Sequence, residues 1–177
     1  SLYWQLNDAW TSISWSSIDY LGNKKALHYK LSEIYAPILL GLDIKGKDLY
    51  DVWVSNDLQR DIDGRVRIIV EDMEGNQMFA FSEKADVKAN SCYRLPNKVN
   101  INTLNKKKSE CYARIIFMEE DTILSERIHF FTYPKDLELI ETEINPNINF
   151  KDGKYYIEFT ADVFVKDLYI EASERGD

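Results

Sequence analysis

Acidic side chains are the most abundant reactive groups in this sequence, with 30 Asp and Glu among 177 residues. Two carboxyl groups that act together in hydrolysis must lie about 5–9.5 Å apart, with one of them held protonated in a pocket. The candidates by spacing are Asp61 with Asp63 and the run Glu119–Asp121. Both groups lie in predicted turns among charged neighbours. We therefore expect solvated loop carboxylates and not a catalytic pair.

Histidine, serine and cysteine offer no stronger site. His28 and His129 are far apart in the chain, and neither has a second His at metal-ligand spacing. The serines around Trp15 lack the Gly-x-Ser-x-Gly pattern of an activated nucleophile, and no glycine-rich phosphate loop occurs. Cys92 and Cys111 are too few for a cysteine-based zinc site. They form either a single bridge or, the interpretation we favour, buried thiols.

The most informative chemistry lies at the start of the chain, where residues 2–8 read Leu-Tyr-Trp-Gln-Leu-Asn-Asp. This is a predicted apolar strand in which Trp4 is followed by Gln5, Asn7 and Asp8. An indole face can stack on the C–H face of a sugar ring, while amide and carboxylate groups hydrogen-bond its hydroxyls. Composition alone leaves an aromatic strand packed in a protein core equally acceptable.

Overall composition excludes several classes of function. The chain has 22 Lys and Arg against 30 Asp and Glu, a formal net charge of −8 and an apolar content of 45%. The acidic balance argues against nucleic acid as a partner, because phosphate binding needs a concentrated cationic face. No run approaches 18 apolar residues, so no membrane span is predicted. The absence of an Asn-x-Ser/Thr sequon fits a bacterial source, and for such a source we expect a periplasmic or cytoplasmic protein.

The elements that must position these side chains change in character near residue 35. A short amphipathic helix is predicted over 24–35, and it ends before Pro37. We then predict seven strands, at 38–44, 49–55, 64–72, 77–82, 87–94, 110–119 and 122–132. Short strands at this spacing indicate a mainly β fold, an immunoglobulin-like β-sandwich over 36–132. Trp53 is expected to pack between its two sheets.

A second set of strands is predicted after Tyr133-Pro134, at 137–144, 154–161 and 166–172. Asn-Pro-Asn at 145–147 and Asp-Gly at 152–153 mark turns between them. Three strands leave open edges, and a sandwich normally has about seven strands. Residues 133–177 are therefore predicted to be part of a second β-sandwich.

The stretches LYWQLND, AW, SWSSIDY, KALHY and YAP occur in this order within the first 37 residues. In these stretches the chain resembles the end of the catalytic barrel in β-mannosidases of glycoside hydrolase family two. Those enzymes typically carry LYWQLNDCWPVxSWSSIDYxGRWKALHY at the last barrel strand and the helix after it, followed by immunoglobulin-like domains. The resemblance implies that residues 1–35 are a short N-terminal strand and an α-helix from a (β/α)8 barrel.

The resemblance also implies a function. Enzymes of this kind are retaining, exo-acting glycosidases that remove terminal β-mannosyl residues from manno-oligosaccharides, using two glutamates and no cofactor. Those glutamates belong to barrel strands that precede Ser1, so no residue of this chain is expected to be catalytic and the fragment alone is expected to be inactive. Its partner would be the upstream catalytic barrel of the same polypeptide. Trp4 matches the aromatic that stacks on the terminal mannose, and Gln5, Asn7 and Asp8 match the polar string beside it.

A second hypothesis, from another class, is a carbohydrate-binding or adhesion β-sandwich without catalytic activity. It requires an exposed, coplanar set of aromatic side chains on one sandwich face. The candidates are Trp53, Tyr93, Tyr112 and Phe117.

The opening segment carries large apolar side chains that are expected to be buried against another surface, notably Leu2, Trp4 and Leu6. Each would forgo about 1.5–3 kcal/mol if it were left in solvent. We therefore expect this segment either to pack on the sandwich or to self-associate with another copy of the chain.

Overall fold

The computed structural model describes residues 2–104 and 106–170. Within these ranges, one α-helix precedes nine β-strands. They are α1 (Ala26–Ile34), β1 (Ile38–Ile44), β2 (Leu49–Asn56), β3 (Ile62–Asp72), β4 (Gln77–Val87), β5 (Ser91–Asn100), β6 (Cys111–Glu119), β7 (Thr122–Phe130), β8 (Asn145–Lys151) and β9 (Lys154–Thr160). No helix in the described part of the chain combines the length and hydropathy that a bilayer span requires.

Strands β1 to β7 form a sandwich of two antiparallel sheets. One sheet has the order β1-β2-β5 and the other the order β4-β3-β6-β7. Side chains alternate between the two faces of each strand, so one face of each sheet meets the other. The core between them includes Tyr50, Val66, Ile68 and Phe117, all fully buried. The seven predicted strands are present, although β5 lies further along the chain than expected, and the mainly β, immunoglobulin-like sandwich is confirmed.

Trp53 does not lie between the sheets, and that prediction is wrong. Val52 and Val54 occupy the inward positions of β2, so the alternation places Trp53 on the outer face. Its indole lies against Gly41 of β1, where a Cβ atom would stand 2.3 Å from the ring. Its Nε1 donates a hydrogen bond to Asp43 Oδ1 at 3.0 Å.

Beyond β7 the strands differ in part from the prediction. Strand β9 is confirmed, but 137–144 is not a strand, and the Glu138 amide donates instead to the Ser109 carbonyl at 2.9 Å. Strand β8 occupies the predicted Asn-Pro-Asn turn and pairs with β9 alone. Pro146 is tolerated there because both strands of a two-stranded sheet are edges. Residues 166–170 form no strand, and the remainder of that predicted strand lies outside the described residues.

The opening segment, residues 2–25, is mostly irregular. Residues 2–8 contribute one bridge residue, Asn7, which pairs in parallel with Ile18, where the sequence predicts a continuous strand. Ile18 also bridges Lys24 in the antiparallel sense. A longer strand would need a partner along its whole length to satisfy its backbone groups.

Candidate functional site

Backbone hydrogen bonds shape the opening segment around the predicted site residues. The Ile18 amide donates to the Leu6 carbonyl at 3.0 Å, and the Asp8 amide donates to the Ile18 carbonyl at 3.0 Å. The Lys25 amide donates to the Ser17 carbonyl at 2.9 Å. The chain before Asp8 therefore lies beside Ile18, and the start of α1 is fastened to the same place.

Asp8 is buried, and its carboxylate lies at the centre of a polar network. Its Oδ2 accepts a hydrogen bond from Lys25 Nζ at 2.8 Å, and its Oδ1 accepts one from Ser14 Oγ. Only 3% of its side chain is exposed. The hydrogen bond from Lys25, followed by those from Ser14 and Ser16, lowers the pKa of Asp8 to about 2. The carboxylate is therefore charged and has both oxygens engaged within the protein.

Lys25 completes the network from the N-cap position of α1. Its ammonium group has three donors, and it lies 2.8 Å from Ser16 Oγ and 3.4 Å from Ser14 Oγ in addition to its contact with Asp8. Neither these serines nor Lys25 stands out as a site residue in the sequence. The available signal is that Ser14 and Ser16 alternate, which puts two hydroxyls on one side of an extended segment.

Trp4, Gln5 and Asn7 remain at the surface. The Trp4 side chain is 77% exposed, and its peptide bond to Gln5 is cis. Gln5 Nε2 donates to the Asn7 carbonyl at 3.2 Å, and Asn7 Nδ2 donates to the Asp8 carbonyl at 3.2 Å. The structure therefore leaves the indole of Trp4 accessible at the surface and buries the carboxylate of Asp8.

The other large apolar side chains of the opening segment are also exposed, including Leu2, Leu6, Trp10, Ile13 and Trp15. The prediction that this segment packs on the sandwich is wrong for these side chains. The segment is connected to the sandwich through α1, where Glu33 pairs with Arg127 of β7 at 3.6 Å. Tyr3 and Tyr35 also approach each other, with ring centroids 6.4 Å apart. The polar network around Asp8 supplies the internal order of the segment.

Three of the acidic residues considered as a catalytic pair form ion pairs with basic side chains at the surface. These are Asp61 with Lys88 at 2.7 Å, Asp63 with Lys84 at 3.1 Å and Glu119 with Arg60 at 2.7 Å. Across residues 2–104 and 106–170, no group of three or more His, Cys, Asp or Glu side chains is arranged to hold a metal ion. The arrangement of these carboxylates is that of a charged protein surface.

His129 belongs to the edge of the sandwich core. Its ring centroid lies 5.8 Å from that of Tyr50 and 5.6 Å from that of Phe131. Burial lowers the pKa of His129 to about 4, so the imidazole is neutral at pH 7. Cys111 is a buried free thiol, as predicted, whereas Cys92 is free but exposed.

The aromatic side chains required for a binding face on the sandwich do not share one. Tyr112 and Phe117 are buried, Tyr93 packs against the core, and Trp53 is half-buried on an outer face. These four side chains form no exposed platform. The hypothesis of a carbohydrate-binding or adhesion module therefore loses its structural support.

The proteins with similar sequences include β-mannosidases of fungi and mammals. β-Mannosidase A of Aspergillus oryzae is 28% identical over 175 residues, which cover 89% of this chain and 19% of that protein. The β-mannosidase of Capra hircus is 44% identical over 61 residues, which cover 34% of this chain and 7% of that protein. The alignment thus spans about a fifth of the length of the Aspergillus protein, and the shorter alignment with the goat protein spans 7% of that protein.

A solved structure supports the same relationship at the level of the fold. The β-D-mannosidase of Dictyoglomus thermophilum has a TM-score of 0.74 at 20% identity, covering 90% of this chain and 20% of that chain. Together these likenesses confirm the resemblance to the C-terminal region of family-two β-mannosidases. Residues 48–136, from the loop before β2 to the turn after β7, match the family described as Mannosidase Ig/CBM-like domain. That match spans half of the chain and nearly all of the sandwich, so this protein belongs to the Mannosidase Ig/CBM-like domain family.

Proposed function

We propose that this chain is the C-terminal part of a retaining, exo-acting β-mannosidase that hydrolyses terminal β-mannosides. The observation that carries the proposal is the alignment with β-mannosidase A, which extends over 89% of this chain and thus well beyond the sandwich. The two catalytic glutamates would precede Ser1. The chain itself would be structural and accessory, without activity of its own.

The proposal divides the chain into three parts: residues 1–35 close the catalytic barrel, 36–132 form the immunoglobulin-like sandwich, and 133–177 begin a second sandwich. The β8–β9 hairpin supports the last assignment. Ile148 pairs with Ile157 and Phe150 with Tyr155, which makes one face of the hairpin apolar, yet these side chains are exposed. A two-stranded hairpin is marginally stable in water, so further strands are expected to cover this face.

Trp4 is the proposed stacking residue for the terminal mannose of a β-linked manno-oligosaccharide. Its exposed indole supplies the apolar face, and the amides of Gln5 and Asn7 supply hydrogen-bonding groups for the sugar hydroxyls. We assign Asp8 a supporting role, because its oxygens are engaged by Ser14 and Lys25. Asp8 would hold the loop that presents the indole.

The upstream catalytic barrel is the proposed partner of the exposed apolar side chains of the opening segment. Burial of each such side chain contributes about 1.5–3 kcal/mol. Burial of the exposed side chains of Trp10, Ile13 and Trp15 would therefore strongly favour association. Without the barrel, a second copy of the chain is the alternative cover, and sedimentation of the chain with and without the barrel distinguishes these two partners.

Hydrolysis of an aryl β-mannoside tests the proposed function. We expect turnover by a polypeptide that includes the upstream barrel and none by this chain alone. In the longer polypeptide, Trp4→Ala should raise KM about two- to tenfold, the factor given by an aromatic contact of about 0.5–1.5 kcal/mol. Tyr133→Ala removes a comparably exposed aromatic side chain from the linker and serves as the control. Turnover by the isolated chain would contradict the proposal.

Calorimetry addresses the binding-module alternative directly. The isolated chain, titrated with manno-oligosaccharides, is expected to give flat traces because the sandwich presents no aromatic platform. A fitted binding site that survives Trp4→Ala would place sugar recognition on the sandwich and favour the alternative.

A further inference from the structure

The last described residues of the chain pack across the sandwich. The Phe164 amide donates to the Met73 carbonyl, in the turn after β3, at 3.0 Å. The Phe164 ring centroid lies 4.1 Å from that of Tyr112 and 5.8 Å from that of Phe130, two residues that pair across β6 and β7. We name residues 161–170 the return segment. Phe164 anchors it on the outer face of the four-stranded sheet.

From this anchor the return segment reaches the opening segment. The Lys166 ammonium lies 5.5 Å from the Phe130 ring centroid, which continues the contact along β7. The Tyr169 hydroxyl donates a hydrogen bond to the Lys24 carbonyl at 3.2 Å, and the Tyr169 ring lies edge-on to Tyr29 with centroids 6.4 Å apart. Tyr169 therefore holds the peptide that leads into α1.

This contact adjoins the network that supports Trp4. Lys24 forms the antiparallel bridge with Ile18, and the Lys25 amide donates to the Ser17 carbonyl at 2.9 Å. The Lys25 ammonium then binds Asp8 at 2.8 Å. A continuous series of contacts therefore leads from the sandwich through the return segment to the loop that carries the exposed indole.

We propose that Tyr169 is a positioning residue for the sugar-binding loop. Phe164 holds Tyr169 in place, and Tyr169 fixes the Lys24 peptide at the start of α1. This keeps the Lys25 ammonium within hydrogen-bond distance of Asp8. The structural part of this inference stands on the contacts of the chain itself. Its consequence for sugar binding rests on the proposed function.

Amide hydrogen exchange on the whole chain tests the structural part. Tyr169→Phe removes the hydroxyl and keeps the ring beside Tyr29. Exchange at the Ile18 and Lys25 amides should accelerate about fivefold, the equilibrium factor of one net hydrogen bond, while amides of β3 and β6 stay unchanged. Tyr155→Phe is the matched control, because Tyr155 is an exposed tyrosine of β9.

Phe164→Ala should accelerate the same two amides, because it releases the anchor of the return segment. Should that variant fail to fold, Tyr169→Phe alone decides the matter. Unchanged exchange at Ile18 and Lys25 in Tyr169→Phe would overturn the positioning role. An equal acceleration of these two amides in Tyr155→Phe would also overturn the positioning role.

Kinetics of the longer polypeptide test the consequence for sugar binding. Tyr169→Phe should raise KM for an aryl β-mannoside up to about fivefold and leave kcat unchanged, because it loosens the loop without touching the reacting atoms. Faster exchange with an unchanged KM would overturn the link to the sugar. A longer polypeptide without any hydrolysis would contradict the proposed function, and with it that link, but not the exchange result.

Discussion

The sandwich and the opening segment are stabilised in opposite ways. In the sandwich, Phe117 and Val66 are fully buried, and ion pairs such as Arg60 with Glu119 lie at the surface. In the opening segment the carboxylate of Asp8 is buried, and the indole of Trp4 is largely exposed. The sandwich has the distribution of a domain with its own core, whereas the opening segment has the reverse distribution.

This difference indicates how each region acquires its structure. Apolar burial drives folding without directional requirements, so we expect the sandwich to fold without a partner. The ion pair of Asp8 and Lys25, in contrast, depends on the direction of each hydrogen bond and fixes the geometry of only a few residues around it. Large exposed apolar side chains mark an interaction surface. We therefore expect the opening segment to have a defined loop but to depend on a partner for most of its stability.

Truncating one large aromatic side chain in each region should give the largest contrast. Phe117→Ala should lower the free energy of unfolding by about 3–5 kcal/mol, because it leaves a cavity between the sheets. Trp10→Ala should change it by no more than about 0.5 kcal/mol, because the indole is exposed in this chain. Denaturant unfolding followed by circular dichroism measures both values. Equal losses in the two variants would contradict the division into two regions.

Acid should destabilise the sandwich through His129. Its folded pKa of about 4 lies below its ordinary value of 6.5, so the unfolded chain takes up the proton first as the pH falls. The stability that depends on neutral His129 is complete above pH 6.5 and is lost as the pH falls towards 4, by about 2–3 kcal/mol.

A variant isolates this group from the other acid-sensitive residues. His129→Gln does not titrate and should flatten the pH dependence of the unfolding free energy between 6.5 and 4. The imidazole signals of the unmodified chain, followed by NMR, should show no protonation until the pH approaches 4. A midpoint near 6.5 would show that the ring is not held in the core.

Substitution of Gly41, on the outer face of the sandwich, should destabilise the protein more than substitution of a glycine with free space around its Cβ position. Gly41→Ala places a Cβ 2.3 Å from the Trp53 ring and should cost about 1–3 kcal/mol of unfolding free energy. Gly46→Ala is the control, because its nearest neighbouring atom would be 3.9 Å away. Adding Trp53→Ala should remove most of the penalty in a double-mutant cycle. Additive effects would mean that the indole does not lie on Gly41.

The same residues show what the sequence can and cannot predict about the fold. The strands are predictable because each carries a run of alternating apolar residues between turn-forming residues. The side of Trp53 is predicted wrongly, because a large apolar side chain favours a core position, although the polar residues Asp51 and Ser55 share its face of β2. Strand β8 is missed because Asn-Pro-Asn is typical of turns, and only its position in a two-stranded sheet makes Pro146 acceptable.

The candidate site shows a similar limit. Its residue types and the order of its motifs are readable from the sequence, and they select Trp4, Gln5, Asn7 and Asp8. The direction in which each side chain points is not readable. Asp8 turns inward because its partner, Lys25, comes from a position 17 residues later, and such a pairing leaves no local pattern.

The smallest expected effect on global stability, and the most local, concerns Asp8. Its pKa of about 2 is lower than the ordinary value of 3.8, so its stabilising contribution is complete above about pH 4 and is lost as the pH falls through 2. Carboxyl NMR should therefore place the titration of Asp8 well below that of exposed aspartates. The protection factor of the Ile18 amide, which compares its exchange rate with that of the unfolded chain at the same pH, should fall over the same range of pH.

Asp8→Asn keeps the shape of the side chain and removes the charge that Lys25 binds. It should lower the protection factor of the Ile18 amide at pH 7 and abolish the further fall of that factor between pH 4 and 2. Asp121→Asn, in the exposed turn between β6 and β7, should change neither. Because the groups that bind the Asp8 carboxylate, Lys25 and Ser14, both lie in the opening segment, the amides of the sandwich should respond to His129 and not to Asp8. A common acid transition for both regions would mean that the opening segment unfolds only together with the sandwich.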